Sequence, residues 1–149
     1  MTSVEAAFLV AEATARGWIS GDAQSAYTLA VTESFRWLGV PSHTAAAASY
    51  LAGTDPRVAW PTSTAVADRV AVVAWQKYIA LNGIGILETW NDFRRLGIVQ
   101  PALSIAPERG SNPIPIRMLY PSSEYNYNSA NVKAQGTISQ FTSKVFWHK

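Results

Sequence analysis

Two acidic residues of this 149-residue chain have the spacing best suited to catalysis. Glu88 and Asp92 lie one helical turn apart, and paired carboxylates can serve as the acid and base of a glycoside hydrolase. Such pairs normally come from separate elements that face each other across a cleft. An i, i+4 pair on one helix more often lies on a solvated face, with Arg95 as the expected ion-pair partner of Asp92. The sequence therefore predicts that the protein is not an enzyme.

Metal and phosphate chemistry have even less support. The only two histidines, His43 and His148, would have to converge with carboxylates to hold a metal. The segment Gly83–Gly85 has two glycines, as a phosphate-binding loop does. It follows a predicted helix instead of a strand, however, and it lacks the third glycine of that motif. The chain has no cysteine, so thiolate metal sites and disulfides are excluded. We predict no cofactor and no metal.

Aromatic residues are the remaining chemical signal, because the C–H-rich face of a sugar can stack on an indole or phenol ring. Most of them recur at helical spacing, which is typical of a core; they are Tyr27, Phe35, Trp37, Trp75 and Trp90. Trp60 differs, since it precedes Pro61 in a predicted loop. It is the candidate ligand-binding residue, and a loop tryptophan folded back on the core is the alternative.

Composition indicates one globular domain that spans residues 1–149. Hydrophobic residues make up 48% of the chain and charged residues 15%, which argues against disorder. A formal charge of +2 gives no reason to expect nucleic acid as a partner. The start lacks the basic segment and apolar core of a signal peptide, and no apolar run approaches the ~18 residues of a membrane span. We expect the chain as given to be soluble.

Helical spacing predicts five helices within residues 1–97. Thr2 and Glu5 form a capping-box pattern, and Gly17 and Gly39 are the expected ends of the first two helices. Ser20 or Asp22 is expected to cap the second helix, Ser42 the third, and Ser63 or Thr64 the fourth. The aromatic stretch from Trp75 to Gly97 is interrupted at Asn82–Gly85, where two glycines, each costing a helix about 1 kcal/mol, predict a break.

The last third of the chain has a different character. Of the eight prolines in the whole chain, five lie between Pro101 and Pro121, which is too dense a spacing for a helix. A polar turn, one helical turn at Ser129–Ala134 and a short strand or packed tail at Lys144–His148 are expected after them. The predicted fold is mainly α: tetratricopeptide-like helical pairs over residues 1–97, then a proline-rich extended coil, wrapping the helices, over 98–149, with little sheet.

Several stretches resemble, in the same order, one protein family. They are Glu5–Trp18, Gln76–Leu81, Glu88–Gly97, Ile114–Asn128, Ala130–Val132 and Lys144–Trp147. The family is that of SusD/RagB-type nutrient-binding outer-membrane lipoproteins of Bacteroidetes, in the branch described as starch-binding and associating with the outer membrane. The chain departs from the common Trp-Trp-Asp near the end, where it reads Phe146-Trp147-His148.

This resemblance implies a helical fold and a lipid-anchored protein that caps a SusC-like TonB-dependent transporter. It implies binding of glycans or other nutrients without cleavage. Family members begin with a signal peptide and a lipidated cysteine, so we expect this chain to be the C-terminal part of a longer protein. Such a part would expose surface that the remainder covers, which predicts a homo-oligomer or apolar patches. A tetratricopeptide-like scaffold for protein partners is the alternative function.

The residues that match the family are predicted to be structural, and no binding residue is carried over. The residues predicted to be structural are Trp75, Trp90, Arg94, Arg95, Tyr120, Glu124 and Tyr125. The paired arginines are expected to bond the last carbonyls of their helix or the returning coil, with Glu124 as one acceptor. Tyr120 and Tyr125 are expected to pin that coil across the helices.

Overall fold

A computed structural model describes residues 1–146, and the chain divides into two compact units, residues 1–100 and residues from 101 onward. All regular structure within the described residues is helical, and no strand occurs among them. The predicted mainly α fold class is therefore confirmed. Each unit is described by itself below.

The first unit contains five helices. Helix α1 packs along α2 and against α4, α2 also contacts α3, and α4 contacts α5. Their bounds are α1 Ser3–Ala15, α2 Ala23–Trp37, α3 His43–Leu51, α4 Val66–Ala80 and α5 Ile86–Leu96. Five helices before residue 97 were predicted, and the structure confirms their number and order.

Local signals set most of these helix ends. The Thr2 hydroxyl accepts from the Glu5 N–H at 3.1 Å and the Glu5 carboxylate accepts from the Thr2 N–H at 3.4 Å, which confirms the capping box. Asp22 caps α2 by accepting from the Ser25 N–H at 2.6 Å. Gly17 has a φ of 72° and ends α1 as predicted.

Two of the expected caps are wrong. Ser42 precedes α3 with a φ of 49°, and its side chain makes no capping bond because the left-handed backbone does not aim it at the first N–H groups. Helix α4 begins at Val66, after Ala65, and its start has no side-chain cap. The Ser63 hydroxyl instead accepts from the Ala65 N–H at 3.1 Å, inside the loop.

The core of the first unit lies where α1, α2 and α4 meet. Its fully buried side chains include Phe8, Tyr27 and Val73, together with small residues that let the helices approach closely. Burying one such large side chain stabilises a fold by roughly 1.5–3 kcal/mol. Not every predicted core aromatic is there: Trp37 is 49% exposed, because it faces outward at the last turn of α2.

The break between α4 and α5 is confirmed. Helix α4 ends at Ala80, Gly83 follows with a φ of 76°, and α5 begins at Ile86. Gly97, with a φ of 66°, ends α5, and its N–H donates to the Phe93 carbonyl.

Between residues 101 and 146, the second unit holds one 3-10 turn, Pro107–Arg109, and two short helices, α6 Ser122–Tyr127 and α7 Ser129–Ala134. Helix α7 was predicted, whereas the polar turn expected before it is wrong: that segment forms α6. Residues 144–146 lie in no strand, and the rest of the predicted tail, including His148, lies outside the described residues. The domain organisation as one helical domain with a wrapping coil stays a prediction.

Candidate functional site

Trp60, the candidate ligand-binding residue, is half-buried against the core. Its ring lies 5.4 Å from that of Tyr27, at an interplanar angle of 35°, and it packs against both clusters of buried residues in the first unit. The alternative arrangement, a loop tryptophan folded back on the core, is thus the one observed. A ligand-binding role for Trp60 stays a prediction.

Buried side chains hold the loop between α3 and α4 in place. The Tyr27 hydroxyl donates to the Val58 carbonyl at 2.6 Å. The Gln76 amide donates to the neighbouring Arg57 carbonyl at 2.9 Å and accepts from the Tyr50 hydroxyl at 3.2 Å. Because two consecutive loop carbonyls are bound from the core, this loop has a defined conformation.

A groove of about 450 Å³ runs beside this loop. We call it the loop groove, and its lining residues include Pro56, Arg57, Pro61, Asp68 and Trp75. Trp75 is half-buried on α4, so part of its indole is available to the groove. The sequence placed Trp75 in a core stripe; it missed the groove because nothing in the helical period shows which loop passes over a helix.

Charged side chains lie in or next to the groove that Trp75 lines. The Arg57 guanidinium lies 5.9 Å from the ring centroid. It is held by Asp55, at 2.8 Å between Nη2 and Oδ2, and hydrogen bonds from the Arg57 side chain and backbone lower the pKa of Asp55 to about 2. The exposed Asp68 carboxylate forms no hydrogen bond or ion pair with another residue of the described chain. An aromatic surface with donors and acceptors at its edges can bind a ligand without chemical change.

One member of the acid pair considered for catalysis, Asp92, is bound by two cations. Asp92 accepts from Lys77 at 3.0 Å and from Arg95 at 2.7 Å, so the predicted Asp92–Arg95 pair is confirmed. The predicted solvated face is wrong for Asp92, because its side chain is 13% exposed and that of Lys77 is 3% exposed. With two cations bound to Asp92, the geometry gives no support to Glu88 and Asp92 as an acid–base pair.

Arg95 also reaches a carboxylate that the sequence did not single out. Its guanidinium binds Glu12 on α1 through two bonds of 2.6 and 2.8 Å, and Arg16 binds the same carboxylate at 2.8 Å. Burial raises the pKa of Glu12, but the bonds from Arg95 and Arg16 outweigh it and lower that pKa to about 2. A glutamate inside an otherwise apolar stretch of α1 was the signal that could have revealed this pair.

The other family-matching residues have local partners. The Arg94 guanidinium stacks over Trp90 at 4.4 Å, and its buried Nε has no hydrogen-bond partner among the described residues. Arg95 binds Glu12 and Asp92 through its side chain, so the expected bonds to helix carbonyls are not its main contacts.

Within the second unit, Arg117 lies 5.6 Å from the ring of Tyr120. Glu124 accepts from Asn128 at 2.9 Å, and Tyr125 is 48% exposed. Whether Tyr120 and Tyr125 pin the coil across the helices stays a prediction.

Residues 1–146 contain neither a cluster of metal-ligating side chains nor a membrane-spanning helix. No group of three or more metal-ligating side chains occurs there. None of the helices in that part of the chain is long and apolar enough to cross a membrane.

Comparison with protein families decides the relationship. A SusD-like family model, described as "Starch-binding associating with outer membrane", matches residues 1–121. The chain belongs to this SusD-like family. The family that the sequence resemblance indicated is therefore confirmed.

Solved structures support the same relationship for this SusD-like chain. An outer membrane protein of Bacteroides vulgatus, assigned to nutrient binding, is 27% identical with a TM-score of 0.78, and the match covers 100% of this chain and 34% of that one. A SusD homologue of Bacteroides fragilis is 26% identical with a TM-score of 0.73, covering 99% and 34%. The chain thus spans about a third of the length of these relatives. A search of curated proteins gave no match.

Proposed function

We propose that this SusD-like chain takes part in non-catalytic nutrient binding at the cell surface, with a glycan as the ligand. The observation that carries this proposal is the family match over residues 1–121, in a family described as starch-binding and associating with the outer membrane. The B. vulgatus relative, which is assigned to nutrient binding, supports it. The partner we propose is a SusC-like TonB-dependent transporter, with the full-length protein held at the outer membrane as a lipoprotein.

The first unit is consistent with binding rather than catalysis. The loop groove of this unit combines an aromatic ring with an arginine and an exposed carboxylate. Of the acidic pair Glu88 and Asp92, Asp92 is bound by Lys77 and Arg95, so the two carboxylates have different surroundings. Binding without cleavage needs a shaped surface and hydrogen-bonding groups at its edge, and the loop groove supports the proposal with an aromatic ring, an arginine and a carboxylate.

A protein-interaction scaffold is the second candidate, and one observation favours it. An apolar groove of about 190 Å³ in the first unit is lined by residues that include Phe35, Leu38 and Ile79. Tetratricopeptide-like pairs bind protein segments in such grooves. The scaffold and the nutrient-binding protein differ in the partner that each would retain.

Partner recovery tests the proposed function. We would tag the native gene that encodes this chain, isolate outer membranes, solubilise them in mild detergent and identify the co-purifying proteins. A TonB-dependent transporter is expected as the main partner, and deleting the gene is expected to slow uptake of its nutrient. Recovery of a non-transporter protein as the main partner, with uptake unchanged, would favour the scaffold.

A further inference from the structure

We propose that the loop groove is a subsite for one ring of a neutral saccharide, with Trp75 as the stacking surface and Asp68 and Arg57 as the hydrogen-bonding residues. This inference rests on the proposed function, glycan binding, and assigns it to a particular place in the first unit. The volume of about 450 Å³ lies within the range of small-ligand pockets.

Trp75 is the tryptophan that lines the loop groove, and Tyr78 contacts its ring edge-on at 6.1 Å between ring centroids. An indole face carries partial negative charge, which attracts the polarised C–H bonds on one side of a pyranose ring. The Arg94 guanidinium lies over Trp90 at 4.4 Å from the ring centroid, whereas Arg57, which is bound to Asp55, lies farther from its ring, at 5.9 Å over Trp75. Trp60 packs on Tyr27, so its ring is occupied by the core.

The groove supplies both kinds of hydrogen-bonding group that sugar hydroxyls require. Asp68 offers an exposed carboxylate with no partner within the described part of the chain. Arg57 uses Nε and Nη2 on Asp55, and no bond to a described residue involves its Nη1. A hydroxyl can donate to Asp68 and accept from Arg57, and hydrogen bonds to charged groups are stronger than neutral ones.

The charge of the groove selects against acidic sugars. Asp55 and Arg57 compensate each other as an ion pair of 2.8 Å. Asp68, in the first turn of α4, then leaves one net negative side-chain charge at the groove. A carboxylated or sulfated sugar would be repelled there, whereas a neutral sugar would not.

The groove is also formed before any ligand binds. Gln76, which is 4% exposed, holds the Arg57 carbonyl at 2.9 Å, and Tyr27 holds the next carbonyl at 2.6 Å. Binding to a preformed surface avoids the cost of ordering a loop. Gln76 is accordingly a positioning residue for Arg57.

Calorimetric titration of this chain tests the subsite. The probes are maltohexaose, cellohexaose and xylohexaose, with hexagalacturonate as the acidic probe. At least one neutral probe is expected to bind, and hexagalacturonate is not. Asp68→Asn is expected to weaken the neutral probe about tenfold, since a charge-assisted hydrogen bond is lost, and Trp75→Ala at least as much.

Trp37→Ala is the matched control, because it removes a half-exposed tryptophan that does not line the loop groove. Its affinity should equal that of the wild type. Circular dichroism melting checks each variant. If Trp75→Ala does not fold, Asp68→Asn and Arg57→Gln decide, since both of these side chains are exposed.

The outcomes separate the subsite from the proposed function. Neutral-sugar binding that survives Asp68→Asn and Trp75→Ala unchanged would overturn the subsite and leave glycan binding in place at another site. Absence of neutral-sugar binding to the wild type, or binding of hexagalacturonate alone, would overturn the subsite as well. The transporter recovery described above is judged independently of both results.

Discussion

Glu12 is a buried carboxylate at one end of a chain of ion pairs that joins three helices. It binds Arg16 on its own helix and Arg95 on α5, and Arg95 continues through Asp92 to Lys77 on α4. Helix α5 has no fully buried residue. These ion pairs therefore join α5 to α1 and α4 alongside the apolar packing of Leu96, and removing one partner leaves a charge on the buried Glu12 or Lys77 uncompensated, which is costly.

The lowered pKa of Glu12 makes a prediction about acid stability. Its pKa is about 2 in the folded chain, against an ordinary value of 4.5. The unfolded state binds the proton more tightly, so the stabilisation is complete above pH 4.5 and is lost as the pH falls toward 2. Urea unfolding of wild type and Glu12→Gln should show a stability gap of about 3 kcal/mol at neutral pH that closes in acid.

Glu88→Gln is the control for this measurement. Glu88 forms no ion pair with another residue between 1 and 146, so its neutralisation should cost far less than that of Glu12 at neutral pH. A gap between wild type and Glu12→Gln that stays constant from neutral pH to strong acid would contradict the role assigned to the Glu12 cluster.

Individual residues were the least predictable part of this chain. Asp92 and Arg95 could be paired from sequence because they lie three positions apart. The bond between Arg95 and Glu12 joins residues 83 positions apart, so only the folded chain reveals it. Trp60 and Trp75 illustrate the same limit: both rings were recognised, but the path of the loop decides which ring reaches a groove.

At the scale of elements, the break between α4 and α5 contains two glycines in different backbone states. Gly83 has a φ of 76°, where a side chain is strained, whereas Gly85 has a φ of −135°, which other residues adopt. A Cβ on Gly85 would meet Leu81 at an ordinary 3.7 Å. The break therefore requires glycine at one of its two positions.

Alanine substitutions distinguish the two glycines. Gly83→Ala should destabilise the chain by about 1 kcal/mol, because alanine pays the cost of left-handed backbone. Gly85→Ala should be neutral or slightly stabilising, since it restricts the unfolded chain without strain in the folded one. Thermal unfolding of both variants and the wild type measures this. Equal losses of stability in the two variants would contradict this explanation, because the backbone φ would then not decide which glycine the break requires.

Helices with an apolar period and clear ends were predictable, and the short ones were not. Helix α1 combines a capping box with a glycine stop, and both signals were correct. Helix α6 has only six residues, follows Pro121 and buries no side chain, so neither period nor cap marks it. Glu124 in its first turn was the available signal, because an acidic side chain there favours the helix dipole.

At the scale of the whole molecule, several large apolar side chains remain exposed. On the first unit they are Trp18, Leu29, Leu38, Ile86 and Leu87, each more than 60% exposed. A monomeric soluble protein rarely leaves many such side chains in water. The two Bacteroides relatives are about three times longer than this chain, since the match covers 34% of each. We propose that part of this apolar surface is covered in a protein of that length.

We predict that the chain as given self-associates through these side chains. Light scattering coupled to size exclusion should show a mass above that of the monomer, rising with protein concentration. Leu29→Lys and Ile86→Lys should each shift the mass toward the monomer, because burying a charge in an apolar contact is costly. Thr28→Lys adds the same charge at an exposed polar position beside Leu29, and it should change the mass little. A wild type that stays monomeric at high concentration would refute the prediction, and an equal effect of Thr28→Lys would show that net charge, not the apolar surface, drives association.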